Sequence, residues 1–141
     1  MPRVSSHFGL KDPRFQSVMF PLIVPTTIST AGAVTYTPAQ LLTGFILRDC
    51  NGGARTDTLP SAALLVEAVQ GAMVNTAFEF EIRNTSGTAI AVTLAAGTGG
   101  TLSPASTSVA QNNTRSYLLV FSNVGIGTEA YTVYSRATGA F

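Results

Sequence analysis

The sequence has one cysteine, one histidine, no tryptophan and few charges. A lone Cys50 cannot form a disulfide within the chain, so no disulfide framework supports the fold, and the chain suits assembly in a reducing cytoplasm. The missing tryptophan weakens a reading as a sugar-binding module, where large aromatic platforms are usual. No run of about 18 apolar residues occurs, which argues against a membrane-spanning helix. The positive charges near the N-terminus are not followed by the apolar stretch of a signal peptide. Charged residues make up 11%, against about 25% in a typical soluble domain. A surface this poor in charge must be rich in Thr, Ser, Asn and Gly, or must lie against other subunits, and both are expected.

The net charge of +1 is too small for a general grip on nucleic acid. It is also unevenly placed. Residues 1–15 hold Arg3, Lys11 and Arg14 against Asp12, a net of +2, and the remainder holds five arginines against six acids, a net of −1. Pro2, Pro13, Pro21 and Pro25 interrupt residues 1–26, where no helical or strand period develops. A disordered tail is one reading, but such tails are poor in aromatics, and this segment has three phenylalanines. The favoured reading is an extended arm that becomes ordered on a neighbouring surface through Arg3, His7, Phe8, Lys11, Arg14, Phe15, Met19 and Phe20.

Residues 27–141 read as one β-rich domain. "AVTYT" (33–37) suggests a short strand, and Thr37-Pro38-Ala39-Gln40 has the form of a capping box with proline at the first helical position. "GFILRD" (44–49) returns to strand character, and "NGG" (51–53) permits a tight turn. "LPSAALLVEAV" (59–69) is the best helix candidate, capped by Asp57 or Thr58 and ended by Gly71, with Leu64, Leu65 and Ala68 on one face. "AFEFEIRN" alternates, placing Phe78, Phe80 and Ile82 on one side and Glu79, Glu81 and Arg83 on the other. "AIAVTLAAG" turns Ile90, Val92 and Leu94 inward, "GTGGTLSPAST" reads as a glycine-rich loop, and "EAYTVYSRA" (129–137) is the last strand. "RSYLLVFSN" (115–123) is apolar on both faces, which suggests a central or interface strand with Tyr117, Leu119 and Phe121 against other subunits. The expected fold is mainly β: an antiparallel sandwich or jelly-roll-like domain with one or two short helices behind the arm.

Reactive residues are scarce. Any triad would have to use His7, which lies in the arm, away from the rigid support that catalytic groups need. Glu79 and Glu81 share a face, but it is the solvent face of one strand and not a cleft. "GTGG" at 97–100 lacks the lysine and helix of a phosphate loop. The one gathering of chemistry is "RDCNGGARTD" (48–57). Asp49, Asn51 and Asp57 could offer oxygen to calcium but do not follow the EF-hand spacing, and a lone Cys50 is usually a small buried apolar residue. The structural reading is stronger: Arg48, Asp49, Arg55 and Asp57 form ion pairs around a turn made by Gly52 and Gly53. No catalytic set, metal or cofactor is expected; an enzyme acting on envelope sugars would rest only on the scattered acids.

The stretches "TYTPAQLLTGFILRDCNGGARTDTLPSAALLVEAV" (35–69), "FEFEIRNTSGTAIAVTLAAGTGGTL" (78–102), "QNNTRSYLLVFSNV" (111–124) and "EAYTVYS" (129–135) together resemble small all-β virion proteins of tailed bacteriophages and some large viruses. The resemblance spans about residues 35–135 and leaves out the arm. It implies a non-enzymatic capsid decoration or cement protein, often trimeric, on the outer capsid surface of a virion assembled in the host cytoplasm. The implied partners are copies of itself and the major capsid protein, with no nucleic acid, membrane or small-molecule substrate. A fibre or receptor-binding module is the alternative, with "AAGTGGTLSPASTS" as its recognition loop.

Overall fold

The computed structural model describes residues 24–105 and 107–140. These residues form a mainly β, sandwich-like domain with two short helices. The strands are β1 (Thr26–Ile28), β2 (Phe45–Arg48), β3 (Arg55–Thr58), β4 (Ala77–Asn84), β5 (Val92–Ala95), β6 (Gly100–Ser103), β7 (Thr107–Val109), β8 (Asn113–Asn123) and β9 (Ala130–Ala140). The helices are α1 (Pro38–Leu42) and α2 (Ala62–Ala68). A six-stranded sheet, in the order β1-β2-β4-β8-β9-β6, faces a three-stranded sheet, β3-β5-β7.

The pairing differs from the antiparallel expectation. The β4–β8, β8–β9 and β5–β7 ladders are antiparallel, but β1–β2, β2–β4, β3–β5 and β6–β9 are parallel. Crossovers cause this: the chain leaves β2, visits the small sheet and α2, and returns beside β2 as β4.

Local signals explain several elements. In α1 the Thr37 hydroxyl accepts from the Gln40 N–H at 3.2 Å, and the Gln40 side chain accepts from the Thr37 N–H at 2.8 Å, so the capping box is complete. In β4 the expected alternation holds: Phe80 and Ile82 are buried, while Glu79 is exposed. Elsewhere longer-range contacts override local signals. "AVTYT" makes only an isolated bridge, Thr35 to Thr58. Asp57 and Thr58, expected to cap the helix, lie in β3. Helix α2 is therefore capped by Ser61, which accepts from the Leu64 N–H at 3.4 Å, and runs for seven residues, about two turns. Ala62 and Leu65 are its buried face; Leu64 stands 52% exposed. The glycine-rich loop contains β6, and Thr26, expected in the arm, belongs to β1.

The core lies between the sheets. Ile46, Phe80, Ile82, Tyr117, Leu119, Phe121, Tyr131 and Val133 line the large sheet's inner face, and Val92, Leu94 and Val109 oppose them. Phe80 and Tyr117 stack with centroids 5.0 Å apart. Helix α1 packs against β2 and β4, and α2 against β9.

This packing corrects the subunit-interface expectation. Tyr117, Leu119 and Phe121 have no exposure and form part of the chain's own core. β8 is apolar on both faces because it is central, bordered by β4 and β9, with Leu118 and Val120 half-buried on the outer face.

Candidate functional site

The region 48–57 was the strongest candidate for chemistry. Its Arg48 and Asp57 side chains are fully buried at the end of the sandwich where β2 finishes. Arg48 Nε donates to Asp57 Oδ2 at 2.6 Å and Nη2 donates to Oδ1 at 3.2 Å, a bidentate fork. Nη1 also donates to the carbonyls of Thr30 (2.8 Å) and Asp49 (2.6 Å), and Nη2 donates to that of Gly32 (2.7 Å). These five bonds use every donor a guanidinium has. Asp57 is equally occupied: Oδ1 accepts from the Val34 N–H at 3.0 Å, and Oδ2 accepts from the Tyr36 hydroxyl at 2.8 Å.

The cluster is therefore structural. It fastens residues 30–36, which have little regular structure, to β2 and β3. Burial, and then the negative charge of Asp57, push the Tyr36 hydroxyl far above the ordinary tyrosine range. The Arg48 guanidinium is raised as well: burial opposes its charge, but the hydrogen bond and charge of Asp57 outweigh burial.

The other turn residues divide. The Asp49 side chain accepts from the Asn51 N–H at 2.8 Å, an Asx turn, and is not in the ion pair. Arg55 lies away from the pair, its side chain against the turn, where a Cβ on Gly53 would meet its guanidinium at 3.1 Å. Asn51 and Gly52 carry the positive φ values that the turn needs, +43° and +107°. Cys50 is buried in the core, and its N–H donates to Ser86 Oγ at 2.9 Å.

A second buried polar knot, not anticipated from sequence, sits at the same end. Asn84 Nδ2 donates to the carbonyls of Ile90 and Val109, both at 2.9 Å, and Asn84 Oδ1 accepts from the Ser86 N–H at 3.0 Å. The only hint was an asparagine on the buried side of an alternating strand.

The glycine-rich segment 97–100 is likewise architectural. The Tyr131 hydroxyl accepts from the Gly97 N–H at 3.0 Å and donates to the Pro60 carbonyl at 2.9 Å, tying the start of α2 to β9. A Cβ on Gly100 would meet the Tyr131 ring at 2.3 Å, so close approach explains the glycine. A neutral cavity of about 400 Å³ opens beside this junction, lined by residues including Thr37, Pro38, Pro60, Ser61 and Leu64.

The opposite end of the sandwich, where β4 starts and β8 finishes, has another character. Segments 70–76 and 122–128 carry no charge. Met73 is 69% exposed, Val74 52% and Ile126 99%. Both loops are nonetheless held. The Met73 N–H donates to Thr76 Oγ1 at 3.0 Å, and the Gly125 carbonyl accepts from the Thr128 N–H at 2.9 Å with Gly127 at φ +79°. Ile126 is thus presented on a tight turn.

Glu79 lies on the outer face, where it pairs with Arg136; both are exposed, so the pair contributes little. Glu81 accepts from the Ser116 hydroxyl at 2.9 Å. Among the described residues, no group of three or more His, Cys, Asp or Glu is placed to hold a metal ion. Arg3, His7, Phe8, Lys11, Arg14, Phe15, Met19 and Phe20 lie outside the described residues. No protein-family model, curated protein or solved structure matches the chain.

Proposed function

We propose that this chain is a viral capsid decoration (cement) protein, a homotrimer that binds the outer surface of the shell and stabilises it, with its N-terminal arm on neighbouring subunits. One observation carries the reading. β1 runs parallel to β2 and β4, so the chain enters it from the direction of the sandwich end that carries the uncharged loops with Met73, Val74 and Ile126. An arm joined to β1 on that side and the apolar groups of these loops can engage one partner together. Docking that end on a shell would bury apolar area across joints between capsid subunits, at about 25 cal/mol per Å². The resemblance of residues 35–135 to virion proteins adds the shell as partner.

The test is deletion of residues 1–23, which spares β1. The truncated domain should fold normally and lose binding to purified capsid shells in co-sedimentation. Binding equal to that of the full chain would refute the arm's role.

The rigidly presented Ile126 favours a second reading, a fibre or receptor-binding module, in which this end meets a host surface. Immunogold labelling of particles separates the two: decoration places the protein over the shell, whereas a fibre module places it on projections.

A further inference from the structure

Among the described residues, the six-stranded sheet has two open edges, and they lie at the same level. Following the registers across it, Thr26 stands beside Ile46, Ile82, Arg115 and Thr138, and Thr27 beside Leu47, Arg83, Thr114 and Gly139. β6 covers the far side of β9 only along Tyr131–Tyr134. Beyond it, Thr138–Ala140 have β8 on one side and no strand on the other among the described residues. The far side of β1 is likewise without a strand among the described residues.

An open edge offers unpaired N–H and C=O groups in a row, and natural sheets normally guard such edges with charge, proline or a bulge. Thr26–Ile28 and Thr138–Ala140 contain neither charge nor proline. The directions also agree. β1 runs with β2 and β4, and β9, antiparallel to β8, runs the same way. Gly139, level with Thr27, has open space around its Cβ position. An unguarded edge of matching direction and level on each side of one sheet has the geometry that a head-to-tail joint requires.

We infer that copies of this chain join edge to edge, β1 of one copy forming a parallel ladder with Thr138–Ala140 of the next. Such a joint is heterologous, so it closes into a ring or continues as a filament. Closure at three copies rests on the trimer reading above; the ladder itself does not. The joint also gives assembly a role for backbone groups where the core strand β8 offers none.

A cysteine pair tests this in the full chain. Within one copy, β1 and β9 are separated by four strand spacings, about 19 Å, beyond the roughly 7 Å Cα separation a disulfide can bridge. The T27C/G139C variant can therefore cross-link only between copies. Both positions are exposed, and the native Cys50 is buried. Mild oxidation should give covalent dimers and trimers on a non-reducing gel, with T27C and G139C alone remaining monomeric. A double variant that stays monomeric while light scattering reports a trimer overturns the edge joint and leaves the trimer standing. Cross-linked chains that scatter as an open series supports the joint and overturns closure at three. Amide exchange on the wild-type assembly provides a check without substitution: residues 26–28 and 138–140 should be protected, and rapid exchange at both would overturn the joint.

Discussion

The two ends of the sandwich solve opposite problems. Where β2 and β4 finish, the fold buries an arginine, an aspartate and an asparagine, and each finds partners: Arg48 with Asp57 and three carbonyls, Asn84 with two carbonyls and an N–H. Where β4 starts, Met73, Val74 and Ile126 stand in water on loops that hydrogen bonds hold in place. The first end spends its polar groups inward, on shape. The second leaves apolar groups outward, which a protein tolerates when another surface covers them. The cluster that looked most like chemistry thus belongs to architecture, and the plain glycine turn around Ile126 is the better candidate for contact.

The largest expected effect comes from breaking the buried pair. Asp57→Ala strands the Arg48 charge and should cost about 3–5 kcal/mol in urea denaturation. Replacing both partners, Arg48→Met with Asp57→Leu, should recover much of that loss, since a buried ion pair can often be exchanged for apolar packing. If the double variant is no better than the single, the pair holds residues 30–36 in a way that packing cannot replace.

Tyr131 is the polar tie nearest the apolar end. Tyr131→Phe leaves the Gly97 N–H and the Pro60 carbonyl without their partner and should cost about 1–3 kcal/mol by the same assay. A loss near zero would show that water replaces the hydroxyl.

High pH probes both regions together. Burial raises the Tyr131 and Tyr117 hydroxyls, and burial with the Asp57 charge raises Tyr36. Each folded pKa lies above its unfolded value. The stability these tyrosines contribute is therefore complete below about pH 10 and falls as pH rises beyond it, by at most about 1.4 kcal/mol per pH unit per tyrosine. Denaturant midpoints measured from pH 9 to 11.5 should be level at first and then drop. A drop that begins well below pH 10 would point to another group.

The smallest expected effect on stability is at the exposed loop. Ile126→Ser should stay within about 0.5 kcal/mol of the wild type, because the side chain has almost no contacts to lose. The same substitution should weaken co-sedimentation with shells. Unchanged binding would remove Ile126 from the contact surface.

Much of the fold could be read locally. The capping box of α1 needs only residues 37 and 40, and the alternation of β4 needs only its own period of two. The turn at Asn51-Gly52 follows from the backbone freedom of those residue types. Thr58 could not be recognised as part of β3, because its partners, Val34 and Ala95, are far away in sequence. β6 was hidden by Gly100, whose purpose appears only when the Tyr131 ring lies against it. Of the proposed turn cluster, the Arg48–Asp57 pair formed, while Asp49 and Arg55 found local roles.

By itself the sequence determined a β-rich domain, the turn at Asn51-Gly52, the cap of α1 and the shortage of reactive groups, because these depend on neighbours a few residues apart. Only the tertiary structure decided that four ladders run parallel, that Tyr117, Leu119 and Phe121 face inward, and that Arg48 meets Asp57 out of water. Each of those outcomes depends on which distant segments come together, and the hydrophobic burial that decides it is a property of the whole packed chain.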